Sequence, residues 1–384
     1  MQINQQEQEK VRITASMPEH TQYHRRRALC ILLLASQGQP AALAETITIG
    51  KGTGIVWEGL PFNATLTGRI GGSNVTPTQA LVAITSNIYM CQTTAQLSSI
   101  AGYQAVKLAP GVGLLPRASA SGNYTSEQDI LYSISSTLGL PETKGVLTSP
   151  YGSSAMYLPP DRNWCLSPSN ADFGLFFSPD VPRKATISGS WVLVADGNQK
   201  AAEITVPIMY AASFGSSSSG NRTAAILPSN LKLRISTLEC TVNTPTSIAF
   251  GGVMKKTQVG AELAVQSYPL ITNCGQSSDF IDANINLQFR ALSGLYKSAP
   301  TRLALRQGGG YITGEIDNGV TGSGNCATTS GLPFDNRQLK IGRITQAETS
   351  LSITNQVTWR LCSGGKDLPL GNVSAAAEML VTFN

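Results

Sequence analysis

The stretch Gly371 to Asn384 constrains the fold more than any other part of this sequence. From Val373 the residues alternate. Val373, Ala375, Ala377, Met379, Val381 and Phe383 fall on one face, and Ser374, Ala376, Glu378, Leu380 and Thr382 on the other. A period of two belongs to a half-buried strand. It predicts a strand over 373–383 that runs almost to the last residue. Chain ends fray unless something holds them, so this strand must be tied to something.

The rest of the sequence extends that reading. Only 13% of residues are charged, 37 are glycine, and short β-rich runs are separated by turn residues. That pattern predicts an all-β protein. After residue 44 about 340 residues remain, which is long for one sandwich and predicts two domains. The clearest composition break is Gly215-Ser216-Ser217-Ser218-Ser219-Gly220-Asn221, expected to lie in a linker over about 215–228. It divides an N-terminal β domain, 45–226, from a second domain, 228–384. In the first, strands are expected at 46–49, 63–70, 79–90, 105–108, 185–195 and 201–210. Ile130, Ile134 and Leu138 have helical spacing, so Ser126 to Leu138 is the expected helix. Gly139 to Pro182 is rich in proline, glycine and serine and is expected to form surface loops. In the second domain strands are expected at 231–242, 246–253, 259–267, 285–291, 302–306, 339–344, 350–361 and 373–383. Many short strands at this spacing favour a sandwich.

Residues 1–44 are predicted to be an extended signal region. Arg25-Arg26-Arg27 precede the apolar run Ala28 to Ser36 and then Ala42-Leu43-Ala44, with cleavage expected after Ala44. The true start is Met1 or Met17. Cleavage removes both histidines, His20 and His24, together with Cys30. Six cysteines remain, Cys91, Cys165, Cys240, Cys274, Cys326 and Cys362, and an even number in an exported chain points to three disulfides. Fifteen pairings are open to six cysteines, and sequential pairing is the simplest if each domain closes its own bonds. Without histidine a Ser-His-Asp nucleophile or a histidine-ligated zinc site cannot be built. The net charge falls from +5 to +3 on cleavage, with no dense basic cluster, so no nucleic-acid partner is expected. No metal site or cofactor motif is found. Gly308-Gly309-Gly310 and Gly68 to Gly72 lack the strand–glycine–helix context of a phosphate loop.

A glycine fourteenth from the end, Gly371, and an aromatic second from the end, Phe383, resemble the C-terminal signature of subunits assembled by the chaperone–usher pathway. Leu238-Glu239-Cys240-Thr241-Val242-Asn243, followed by Cys274, resembles the pilin-domain disulfide between the first two strands. The family usually has tyrosine where Phe383 stands, and a second pair, Cys326 and Cys362, departs from the common one-disulfide domain. The order of domains resembles a two-domain tip adhesin, a minor pilin of a chaperone–usher fimbria. That resemblance implies an N-terminal β-sandwich adhesin-like domain followed by an incomplete immunoglobulin-like pilin domain. It implies a protein exported through the periplasm to the fimbrium tip. Its expected partners are a periplasmic pilus chaperone, an outer-membrane usher, an adjacent pilus subunit and a host receptor, glycan included. Gly371, Val373, Ala375, Ala377, Met379, Val381 and Phe383 would carry the strand pairing. The expected disulfides are Cys91–Cys165, Cys240–Cys274 and Cys326–Cys362.

The candidate receptor surface is Tyr151 to Cys165. Sugars present apolar C–H faces and directional hydroxyls, so shallow sites combine aromatic rings with polar side chains. Tyr151, Tyr157, Asp161, Arg162, Asn163 and Trp164 supply both kinds. The competing reading packs Trp164 on the disulfide in the core. Two functional alternatives stand beside adhesion. One is an assembly initiator or cap that binds no receptor. The other is a two-carboxylate glycoside hydrolase drawing on Asp161, Asp172 or Asp180, although no spacing singles out a pair.

Overall fold

The computed structural model describes residues 46–71, 80–126, 128–168, 178, 181–213, 217–218 and 221–384. The fold is all-β, and among the described residues the helices are two three-residue 3-10 turns, Thr94–Gln96 and Tyr296–Ser298.

The first lobe is built on an eight-stranded antiparallel sheet. Its continuous path runs Gly152–Ala155, Lys144–Ser149, Leu131–Gly139, Val112–Thr125, Arg183–Asp196, Thr53–Gly68. Alternation fixes which face is buried. Ala118, Ala120 and Tyr124 point inward from one strand, and Ile134 and Leu138 from the next. They meet Ala185, Ile187 and Trp191 of Arg183–Asp196 in one core. The Trp191 indole N–H donates to Ile226 O at 3.0 Å, so its polar edge is satisfied inside that core. A smaller sheet, Cys165–Leu166, Val82–Thr85, Tyr210–Ala212, Thr223–Ala225, covers the inner face.

The expected helix over Ser126–Leu138 is a strand instead, Leu131–Gly139. Spacing at 130, 134 and 138 fits a period of two as well as one of four. The serines and Thr137 between the buried positions decide for the sheet. The region expected as loops also holds the Lys144–Ser149 and Gly152–Ala155 hairpin at the edge of the large sheet.

The second lobe is a sandwich of two unequal layers. One is the five-stranded sheet Glu239–Asn243, Glu262–Gly275, Ser350–Ser363, Gly310–Ile316, Leu303–Ala304. The other is formed by Ala377–Phe383, Ala283–Ala291 and Leu339–Ile344. Leu287, Phe289, Leu332, Phe334 and Val357 fill the space between them. The expected strand at 246–253 is absent. Residues 244–260 run as a largely exposed connection, with Met254 at the surface.

The two lobes share backbone pairing. The first strand, Thr46–Ile49, lies parallel to Lys232–Ile235, and Thr48 also bridges Phe383 of the last strand. Ile226, Leu227, Leu231, Leu233 and Ile235 all belong to the first lobe's core. The chain therefore leaves that core after Ile235, later than the glycine–serine run suggests. All three expected disulfides are present, Cys91–Cys165, Cys240–Cys274 and Cys326–Cys362.

Candidate functional site

The last strand, Ala377–Phe383, has one occupied edge. Residues 377 to 383 pair antiparallel with Ala291 to Ile285. Along the other edge, among the described residues, the one strand pairing is Thr48 with Phe383. The two faces of this strand differ in burial. Glu378, Leu380 and Thr382 are buried on the side of the first lobe. Ala377, Met379 and Val381 face the sandwich interior and are only half-buried, packed against the second lobe's core. Three core-facing apolar residues of this strand therefore keep part of their surface accessible.

Residues 373–376 approach the same core without joining the strand. The Arg306 amide donates to Ser374 O at 2.8 Å, and the Ser374 amide donates to Gln307 Oε1 at 2.9 Å. Val373 and Ala375 rest on Leu305, Leu361 and Leu368. Gly371 is exposed at φ +96°, a conformation that favours glycine, and turns the chain into this segment. Phe383 is buried with Leu238, Cys274, Ala283, Ile285 and Ile344. The expected pairing residues thus divide between a strand, 377–383, and a docked lead-in, 371–376.

The residues of the Tyr151–Cys165 stretch do not form one surface. Tyr151 sits at the hairpin tip beside Gly152–Ala155 and is 83% exposed. Tyr157 is half-buried and bridges Ser167. Arg162 and Asn163 pair with Thr93 and Gln92, and the Thr94 amide donates to Asp161 O at 3.0 Å. Asp161, Arg162 and Asn163 are therefore neighbours on a small two-stranded patch beside the Cys91–Cys165 bond. Trp164 is a correction. It is 2% exposed and lies in the first lobe's core, so its ring cannot stack on a ligand. The alternation that brings Cys165 and Leu166 into pairing with Ala83 and Val82 also turns the indole inward. Asp172 and Asp180 lie outside the described residues.

Two charged constellations were not evident in the sequence. The Arg183 guanidinium is buried and donates to Gly68 O, Ser213 Oγ, Ser213 O and Asn221 O at 2.7–3.1 Å. Burial, and then the charge of Arg222, lower its pKa to about 10, which leaves it a cation at neutral pH. It clamps three separate chain segments at the end of the large sheet.

The second constellation spans the lobes. Glu58 of Thr53–Gly68 lies 3.2 Å from Arg117 Nε and 2.5 Å from Arg290 Nη1, and accepts from Ser190 Oγ at 2.7 Å. Arg290, on Ala283–Ala291, also meets Glu378 of the last strand at 2.5 Å. Burial lifts the Glu378 carboxyl to about 7 against the pull of Arg290, and burial likewise lowers Arg117. Asn286, Gln288 and Arg290 share one face of their strand, and Glu378, Leu380 and Thr382 share the same face of the last strand. The first lobe covers that face.

No protein-family model and no curated protein matches the chain. Two solved structures resemble it at a distance. One is a chain from a study of the chaperone–tip adhesin complex of CFA/I fimbriae, with 11% identity and a TM-score of 0.21, over 91% of this chain and 99% of that one. The other is the CupB6 tip adhesin from Pseudomonas aeruginosa, with 14% identity and a TM-score of 0.20, over 90% of this chain and 93% of that one.

Proposed function

We propose that this protein is an exported pilus subunit of chaperone–usher type that works by strand addition at its second lobe and by receptor attachment at its first. The observation that carries the reading is the half-buried row Ala377, Met379 and Val381 beside an edge with one strand pairing, at Phe383. An extended segment from a chaperone, and later from a neighbouring subunit, would pair along that edge. Its alternate side chains would cover those half-buried residues, the mode in which main-chain hydrogen bonds give affinity and pockets give specificity. The disulfides fit an oxidising compartment. The first lobe has a continuous core of its own, and attachment to a host receptor, a glycan among the candidates, is assigned to it. The exposed Tyr151 and the Asp161–Asn163 patch are the positions to probe.

The test uses the whole chain. A peptide copying the donor segment of a companion subunit should raise its melting temperature, because a ligand that binds only the folded state stabilises it. The same peptide should lose that effect against Met379→Lys, which puts a charge in that row. No shift in the wild-type protein would sink strand addition. Adhesion is tested separately, on cells and a glycan array. Absence of binding there would favour an initiator or cap subunit.

A further inference from the structure

The second sandwich has a mouth away from the last strand. It opens between Leu339–Ile344, the end strand of one layer, and Ser350–Ser363 of the other, beside the turn at Asn318 and Gly319. Ala283–Ala291 separates it from Ala377–Phe383. Gly310–Ile316 stops pairing with Ser350–Ser363 at Val357, so the two layers come apart beyond that point. The cleft left between them measures about 320 Å³. Small-molecule sites run from roughly 300 to 1,000 Å³, so this one has room for a single ring.

Its floor carries an acceptor with nothing to accept. Alternation along Ser350–Ser363 turns Ile353, Asn355 and Val357 to the sandwich interior, which puts one amide in an apolar row. Asn355 is 6% exposed and lines the cleft. Chemistry fixes which way its amide faces. The Asp317 carboxylate accepts, so Asn355 Nδ2 donates to Asp317 Oδ1, at 3.2 Å. The Gln356 amide donates to the same oxygen at 2.8 Å. Asn355 Oδ1 is thereby turned away from Asp317, buried, and without a hydrogen-bond partner among the described residues. Folded proteins rarely leave such an oxygen empty. The walls are the half-buried side chains of Val320, Ile341 and Ile353. At the rim Lys340 is exposed, and its ammonium pairs with no carboxylate among the described residues.

We propose that this mouth binds an acidic monosaccharide, a single sugar ring bearing a carboxylate. A ring hydroxyl donates to Asn355 Oδ1, the C–H face lies on Ile341 and Ile353, and the carboxylate meets Lys340. The three parts select together. A hydrocarbon would leave the floor acceptor unsatisfied. An inorganic anion would offer nothing to the apolar walls. A neutral sugar would leave Lys340 unused. The site is on the second lobe, so it is separate from the receptor attachment assigned to the first and from the edge of the last strand.

Saturation-transfer NMR on the whole chain, titrated with glucuronate and with glucose, tests it. Glucuronate should bind saturably with a Kd on the order of 1 mM, as suits one ring in an open cleft. Glucose should bind more weakly. Lys340→Gln alters an exposed side chain and should bring glucuronate down to the level of glucose, a loss of about two- to fivefold. Asn355→Leu removes the floor acceptor and should weaken both sugars about tenfold, while its ligand-free melting temperature shows that the chain still folds. Should that variant not fold, Lys340→Gln decides alone. The site is overturned if the wild type binds neither sugar saturably or both equally, if Lys340→Gln keeps the preference for the acid, or if a folded Asn355→Leu binds as the wild type does. The last two results would put the sugar elsewhere on the chain. No donor peptide or host cell enters these measurements, so their failure is distinguishable from failure of the proposed function.

Discussion

Trp164 shows how one side chain separates two readings of the same stretch. The sequence offers an aromatic beside Asp161, Arg162 and Asn163, which suits a sugar. The structure puts the ring in the core, at a backbone φ of +53°. Trp164→Ala should cost about 3–5 kcal/mol of folding stability, the range for truncating a buried tryptophan, read from denaturant unfolding. An Asp161→Ala protein should lose no more than about 1 kcal/mol, because the side chain is exposed and the cost is confined to a backbone at φ +56°, which alanine tolerates less well than aspartate. Arg183 could not have been found from sequence, since nothing local distinguishes a buried arginine from a solvated one. Its burial depends on Gly68, Ser213 and Asn221, which meet only in three dimensions. Arg183→Leu should be strongly destabilising, by roughly 3 kcal/mol or more, because several buried carbonyls lose their donor at once. Equal midpoints for Arg183→Leu and wild type in urea would refute the clamp.

Strands made from strongly apolar alternating residues were legible, and strands made from small residues were not. Thr46–Ile49, Arg183–Asp196 and Ala283–Ala291 fall close to where β-branched and large apolar residues predict them. Val112–Thr125 was missed. Its middle alternates only alanine with serine, Ala118-Ser119-Ala120-Ser121, so the contrast in hydrophobicity there is low, and Pro116 and two glycines read as breakers. The sheet holds it because both neighbours pair along its length. Gly50 marks where elements press closest. A Cβ there would sit 2.0 Å from Leu238 O and 2.7 Å from the Phe383 ring. Gly50→Ala should therefore destabilise by about 1–3 kcal/mol, with the loss visible as a lower melting temperature of the whole chain. The Cys326–Cys362 bond, closing 36 residues of sequence, should contribute about 3–4 kcal/mol in the chain-entropy account. Replacing both cysteines by alanine and comparing denaturant midpoints checks that contribution.

The glycine–serine run does not coincide with the end of the first core. Residues 223–235 return to the first core after that run, and Lys232–Ile235 pairs with the first strand. Long-range pairing of this kind leaves no local trace. The alternation from Val373 to Phe383 placed Glu378, Leu380 and Thr382 on one face of the last strand, but not what that face meets. That face carries Arg290 and Glu378 into contact with Glu58 and Arg117. The two faces of one terminal strand thus have different neighbours: the second lobe's core on one side, and the other lobe on the other. Strand addition beside Ala377–Phe383 should also tighten the strand that carries Glu378. In the wild-type chain a bound donor peptide should slow hydrogen exchange of Ala377–Phe383 amides, and a peptide that left them unchanged would place the binding elsewhere.

The bridge between Thr48 and Phe383 has a temporal consequence. Synthesis delivers Thr46–Ile49 long before its partners exist. Lys232–Ile235 arrives midway, and Phe383 comes among the final residues. Contacts between segments so distant in sequence form slowly, and the waiting surfaces invite wrong partners. The first strand must therefore wait unpaired for Lys232–Ile235, and its bridge to Phe383 closes much later. The closing of this one corner reports that the polypeptide has been delivered through to Phe383, a checkpoint written into the order of strands.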